Sequence, residues 1–128
     1  MAQRILIVDD DASTLTGLRA LLTGWGYEVE TAPNGRVALE KIASAHPAVV
    51  ITDVVMPLMS GLELLDAVRN TRPSMPVIVL TAHSSLDSLL VATAEGAFAY
   101  LPKPVDVAKL KGVIASALTE GIWETTAS

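Results

Sequence analysis

Three consecutive carboxylates, Asp9, Asp10 and Asp11, follow the short apolar run Ile5-Leu-Ile-Val8, and Asp53 ends a second run, Ala48-Val-Val-Ile-Thr-Asp53. Short apolar runs that end in acid read as buried parallel strands with carboxylates at their C-terminal edge. That edge is where open α/β sheets bind ligands. Two strand ends can thus gather Asp9, Asp10 and Asp53 into one acidic pocket, where a hard divalent cation with oxygen ligands would relieve their repulsion. Two more polar residues close later runs: Thr81 after Val77-Ile-Val-Leu80, and Lys103 after Phe98-Ala-Tyr-Leu101. Together these five positions are an inventory for phosphoryl chemistry. A carboxylate can act as nucleophile, neighbouring acids can hold Mg²⁺, and a hydroxyl and an ammonium can meet the incoming phosphoryl oxygens. No residue of the set is an obvious general base, and a carboxylate nucleophile does not require one. The expected product is an acyl phosphate on Asp53.

Positioning such residues requires a regular alternation of strands and helices, and the sequence has one. Strand candidates are Arg4–Asp9, Tyr27–Ala32, Ala48–Asp53, Val77–Thr81 and Phe98–Leu101; helix candidates lie near Ser13–Trp25, Gly35–Ala45, Gly61–Thr71, Ser84–Glu95 and Asp106–Thr119. Ser13 or Asp11 can cap the first helix and Asn34 the second, while Gly96 reads as a C-terminal stop. Five βα units predict an α/β fold with one parallel five-stranded sheet and helices on both faces. No internal repeat, low-complexity tract or interdomain linker interrupts the pattern. The domain is expected over residues 1–120, with 121–128 a frayed helix end, a tail or a truncated linker.

Composition sets the outer bounds. The chain has 128 residues, enough for one domain with a proper core. It is 51% hydrophobic, yet no uninterrupted apolar stretch approaches the roughly 18 residues of a transmembrane helix. Met1-Ala-Gln-Arg4 runs straight into a strand candidate without a separate leader core, so a cytoplasmic protein without a membrane association is expected. Cysteine is absent, which excludes disulfides, thiol catalysis and Cys-ligated zinc. The formal charge of −5 argues against direct nucleic acid binding by this domain.

The segments Ile5-Leu-Ile-Val-Asp9-Asp10-Asp11, Ile51-Thr-Asp53-Val-Val-Met-Pro57, Gly61, Leu80-Thr81-Ala82 and Tyr100-Leu-Pro-Lys103-Pro104 have the order and separations of one known family. Over about residues 3–119 the chain resembles the CheY-like receiver domain of two-component response regulators. The resemblance implies a single doubly wound (βα)5 domain of flavodoxin-like type, strand order 2-1-3-4-5. Asp53 matches the phosphoacceptor, which receives its phosphoryl group from phosphohistidine on a sensor histidine kinase or a histidine phosphotransfer protein. Asp10 and Asp53 match the metal-binding carboxylates, with Asp9 supporting through water and the Val55 backbone carbonyl as a further ligand. Mg²⁺ is the implied cofactor, with Mn²⁺ the alternative. Lys103 matches the lysine that pairs with a phosphoryl oxygen, Thr81 the hydroxyl that moves toward the phosphate, and Tyr100 the aromatic whose rotamer follows. Lys103-Pro104 matches a step whose peptide bond is usually cis. Gly61 matches a glycine that gives the active-site loop a backbone conformation costly for other residues. Such a domain is a signalling switch that catalyses its own phosphorylation and dephosphorylation, with no separate turnover substrate. Its fourth helix, fifth strand and fifth helix form the phosphorylation-dependent partner surface, and a homodimer through it is a further expectation.

Some positions depart from the family or vary within it. Val55 and His83 stand where phosphoryl lifetime is tuned; an apolar Val55 cannot orient an attacking water, and a lifetime of minutes to hours is expected. Val105 replaces an aromatic that many relatives carry, removing bulk from the output surface. Each residue also has an ordinary reading: Asp11 as a cap, Asp53 as a turn former, Lys103 as a surface lysine, Tyr100 as packing. Trp25 is expected to pack at a helix end, and the apolar face of Ser84–Glu95 to be wide. Three rival functions fit less well. A metal-independent pseudo-receiver used only for docking would not need the intact acidic set. An aspartyl-phosphate phosphohydrolase would place a second aspartate where Val55 stands. A nucleotide or flavin site would want a glycine-rich first turn, where Asp9-Asp10-Asp11 would repel an anion.

Overall fold

Alternation within the apolar runs builds the molecule. The computed structural model describes residues 3–56, 58–82 and 96–127, with side chains through residue 119. Five strands form one parallel sheet: β1 (Arg4–Val8), β2 (Glu28–Ala32), β3 (Val49–Asp53), β4 (Val77–Thr81) and β5 (Ala99–Pro102), in the order β2-β1-β3-β4-β5. Four helices lie among the described residues: α1 (Ala12–Gly24), α2 (Gly35–Ala45), α3 (Gly61–Thr71) and α4 (Val107–Ala127). The helix expected over Ser84–Glu95 falls outside the described residues.

Successive side chains of a strand point to opposite faces, and a centrally placed parallel strand must be apolar on both. Ile5, Ile7, Val49, Ile51, Ile78, Leu80 and Leu101 therefore share one core with Leu18 and Leu22 of α1 and Leu110, Ile114 and Ala117 of α4. Leu6, Val8, Val50, Val77 and Val79 share the other with Ala38 and Ile42 of α2 and Leu64, Leu65 and Val68 of α3. Burying one such aliphatic side chain contributes about 1.5–3 kcal/mol, so the two cores fix the register of every strand.

The caps follow local chemistry. Asp11, one of the two residues expected to cap α1, does so by accepting from the Ser13 amide; Asn34 caps α2 through the Val37 amide. Ser60 and Glu63 form a capping box on α3. Trp25 closes α1 and packs on the first core, with the Lys111 ammonium 5.6 Å from its ring centre. Gly96 has φ 91°, the left-handed conformation of a helix stop, although the helix it would end is not described. The last helix runs to Ala127 rather than ending near Thr119. The Thr119 hydroxyl donates back to the Ala115 carbonyl at 2.9 Å, and no proline interrupts the segment beyond it.

Candidate functional site

The strand order reverses between β1 and β3, and a reversal of this kind opens a crevice at the C-terminal ends of the two strands. Asp9, directly after β1, and Asp53, the last residue of β3, lie at that point. By alternation both follow the face of Ile7 and Ile51, and Lys103 follows the face of Leu101.

The three side chains meet. Lys103 Nζ donates to Asp9 Oδ2 at 2.9 Å and to Asp53 Oδ2 at 3.3 Å. Asp9 is 3% exposed, and its Oδ1 accepts from the Asp11 amide at 2.9 Å. Asp53 is half-buried, with Oδ1 accepting from the Val54 amide at 2.7 Å. Lys103 is held from its backbone, where its amide donates to the Thr81 carbonyl at 2.8 Å. The Lys103–Pro104 bond is cis, as expected.

Asp10 is exposed beside this pair, and one carboxylate oxygen each of Asp9, Asp10 and Asp53 lies within 4.8 Å of the others. All three donors are hard anionic oxygens, the set that Mg²⁺ and Mn²⁺ take. Three carboxylates facing one ammonium also leave an excess of negative charge for a divalent cation to neutralise. The acidic cluster is therefore fit to hold a metal ion of that class.

Electrostatics follow from these contacts. Burial pulls the Lys103 ammonium downward, but the hydrogen bond to Asp9 and the charges of Asp9 and Asp53 outweigh it, so its pKa is raised above 10.5. Asp11 is lowered below 3.8, first by the Ser13 hydroxyl and then by the Ser13 amide, against a small opposing effect of desolvation.

The remaining expected residues lie around this centre. Thr81 is buried at the end of β4. Tyr100 pairs in register with Val79 and packs against the second core. Alternation therefore places Thr81 and Tyr100 on the same face, opposite to that of Asp53 and Lys103. The Tyr100 hydroxyl is buried and has no hydrogen-bond partner among the described residues. Val55 is 57% exposed in the loop beyond Asp53. His83 lies outside the described residues. Val105 is partly buried and packs against the first core.

The expected cost of a side chain at Gly61 has a steric cause, and one residue escapes the sequence reading. Gly61 is not in the left-handed region; Leu58 is, with φ 71° and 76% exposure. Glycine is required at 61 because a Cβ there would collide with the Asp53 carbonyl oxygen and lie 2.9 Å from its carbon. Thr52, fully buried, donates its hydroxyl to that same carbonyl oxygen at 2.9 Å. Its only signal in the sequence is a hydroxyl inside an otherwise aliphatic run.

Comparison with known proteins agrees with this geometry. Residues 5–115 match the family model of the response regulator receiver domain. The chain is 46% identical over 114 residues to the transcriptional regulatory protein ZraR of Klebsiella oxytoca, covering 89% of this chain and 26% of that protein. It is 44% identical over 110 residues to the response regulator MprA of Mycolicibacterium vanbaalenii, covering 86% and 48%. The chain thus spans about a quarter of the first of these relatives and about half of the second. A CheY-like receiver domain protein from Methanospirillum hungatei superposes with a TM-score of 0.92 at 36% identity, covering 97% of this chain and 99% of that one. A receiver domain protein from Clostridium thermocellum gives 0.88 at 38% identity, covering 92% and 95%.

Proposed function

The chain belongs to the response regulator receiver domain family, and on that premise we propose that it takes a phosphoryl group onto Asp53 in a Mg²⁺-dependent reaction. The observation that carries this reading is the meeting of Asp9, Asp10 and Asp53 within 4.8 Å, with Lys103 bonded to two of them. The donor is phosphohistidine on a sensor histidine kinase or a histidine phosphotransfer protein. A carboxylate oxygen of Asp53 forms the new O–P bond as the P–N bond breaks, and the departing imidazole nitrogen keeps the electron pair. Bound Mg²⁺, with Mn²⁺ as substitute, would screen the charge that builds on the transferring group; Asp9, Asp10, Asp53 and the Val55 carbonyl would hold it.

The chain's own residues do the rest. Lys103 already points its ammonium at Asp53 and is charged at neutral pH, so it can meet one phosphoryl oxygen. Thr81 supplies a hydroxyl and Tyr100 an aromatic ring that follows it. Val55, exposed and apolar, offers no hydrogen bond to an attacking water, which favours a long-lived acyl phosphate; His83 is the second tuning position. Water attack later returns Asp53 to its free form. The added charge and acceptor oxygens rearrange nearby loops, and the face around β5 and α4 reports the change, with homodimerisation one readout. A role in transcription control is the output that relatives named as transcriptional regulators suggest. No helix among the described residues is long and apolar enough to cross a membrane. The proposed site of action is the cytoplasm, and the proposed receiver domain spans residues 1–120.

Intact-mass measurement after incubation with acetyl phosphate tests the proposal. One added phosphoryl group is expected with Mg²⁺, none with excess chelator, and none in Asp53→Asn at any Mg²⁺ concentration. Phosphorylation retained in that variant would move the acceptor elsewhere.

A further inference from the structure

The Asp53–Val54 peptide unit is held from both ends. Its carbonyl oxygen accepts from the Thr52 hydroxyl at 2.9 Å, while its amide donates to Asp53 Oδ1 at 2.7 Å. The backbone of Gly61 packs against the same carbonyl, and the Gly61 amide donates to the Val54 carbonyl at 2.8 Å. The orientation of this peptide plane decides where the amide points, and the amide decides which carboxylate oxygen of Asp53 is engaged. Oδ1 is tied to Val54; Oδ2 is left facing Lys103. Thr52 itself sits in an aliphatic layer, in register with Val8 on one side and Val79 on the other. A valine there would complete that layer and remove only the donor to the Asp53 carbonyl, so packing alone does not call for a hydroxyl.

We propose that Thr52 is a positioning residue for the acceptor: its hydroxyl fixes the Asp53–Val54 peptide plane and, through the Val54 amide, the rotamer that presents Asp53 Oδ2 to the incoming phosphoryl group. This inference rests on the reading of Asp53 as the acceptor, but its first test does not depend on phosphorylation. Hydrogen exchange of the Val54 amide, read by NMR in the full chain, should quicken about tenfold in Thr52→Val, the effect of one lost hydrogen bond. The Ile51 amide serves as the internal control and should keep its rate. Thr52→Ser, which restores the hydroxyl, should return Val54 exchange to the wild-type rate. With phosphoramidate as donor and saturating Mg²⁺, the phosphorylation rate should fall about tenfold in Thr52→Val and recover in Thr52→Ser. Unchanged Val54 exchange in Thr52→Val overturns the proposal. So does acceleration of Val54 and Ile51 by the same factor, which would make the hydroxyl a matter of global stability. If the wild type takes no phosphoryl group, the acceptor reading fails on its own, and Val54 exchange still decides whether Thr52 sets the peptide.

Discussion

Lys103 shows how one side chain can be read both for stability and for chemistry. Its pKa stands above the ordinary 10.5 because its contacts with Asp9 and Asp53 outweigh the cost of its burial. A cation whose folded pKa exceeds its unfolded one contributes stability that is fully present below the unfolded value. That contribution disappears as pH climbs through the folded pKa. Urea midpoints should therefore owe nothing to Lys103 titration near neutrality and should decline in strongly alkaline solution. Lys103→Met should lower the neutral midpoint and remove that part of the alkaline decline; an identical decline in both proteins would show that the ion pairs do not couple to folding. The meeting of Asp9, Asp10, Asp53 and Lys103 was legible because each stands at the end of an apolar run, where chain direction alone fixes the edge it occupies. Thr52 was not. Its hydroxyl acts on the next residue's carbonyl, a contact set by one rotamer and invisible to any spacing rule. Val105 shows the same limit, since whether a residue after Lys103-Pro104 faces solvent or core depends on packing that the motif does not encode.

The loop between β3 and α3 is the element where the expected cost of any residue but glycine at 61 has a specific steric cause. A glycine in a tight loop serves either left-handed backbone or close backbone approach; here Leu58 takes the left-handed conformation, and Gly61 admits the Asp53 carbonyl against its Cα. The distinction has consequences. Gly61→Ala forces a Cβ into backbone that cannot turn away, and overpacking of this kind costs about 1–3 kcal/mol. It should also displace the Asp53 carbonyl and so slow phosphorylation, whereas Ser60→Ala, one residue earlier, removes half a capping box at a cost of about 1 kcal/mol and leaves the acceptor alone. Chemical denaturation and acetyl phosphate labelling of the two variants separate these effects. Equal labelling rates would mean that the loop tolerates the Cβ without moving Asp53. At this scale the strands were the most legible elements, because a parallel sheet buried on both faces writes itself as continuous aliphatic runs. Strand and helix ends shifted by a residue or so, and the last helix ran past Thr119 to Ala127. Beyond Thr119 the sequence carries Gly121 and the β-branched Ile122, Thr125 and Thr126, all weak helix formers, so its propensities do not announce the extension.

Across the whole molecule, the two cores and the acidic edge make opposing demands. Helices on both faces lock five strands in one register, and the reversal of strand order then sets the ends of β1 and β3 side by side. Folding thereby brings Asp53 up against the neighbouring Asp9 and Asp10, from which an unfolded chain would keep it apart, and the Lys103 ammonium offsets only part of the repulsion. A divalent cation that binds this cluster and not the unfolded chain must stabilise the fold, by about 2.7 kcal/mol at a hundredfold excess over its Kd. Thermal unfolding of the wild type should therefore shift upward with Mg²⁺ and return with chelator. Asp10→Ala relieves the repulsion without touching either core, so in chelator it should melt a few degrees above the wild type while losing the Mg²⁺ response. Should Asp10→Ala melt below the wild type in chelator, repulsion is not what the folded state carries at this edge. A retained Mg²⁺ shift in the same variant would place the cation away from Asp10. The pairing of the two signs, more stable alone and less responsive to metal, is what a site assembled at the expense of its own fold requires.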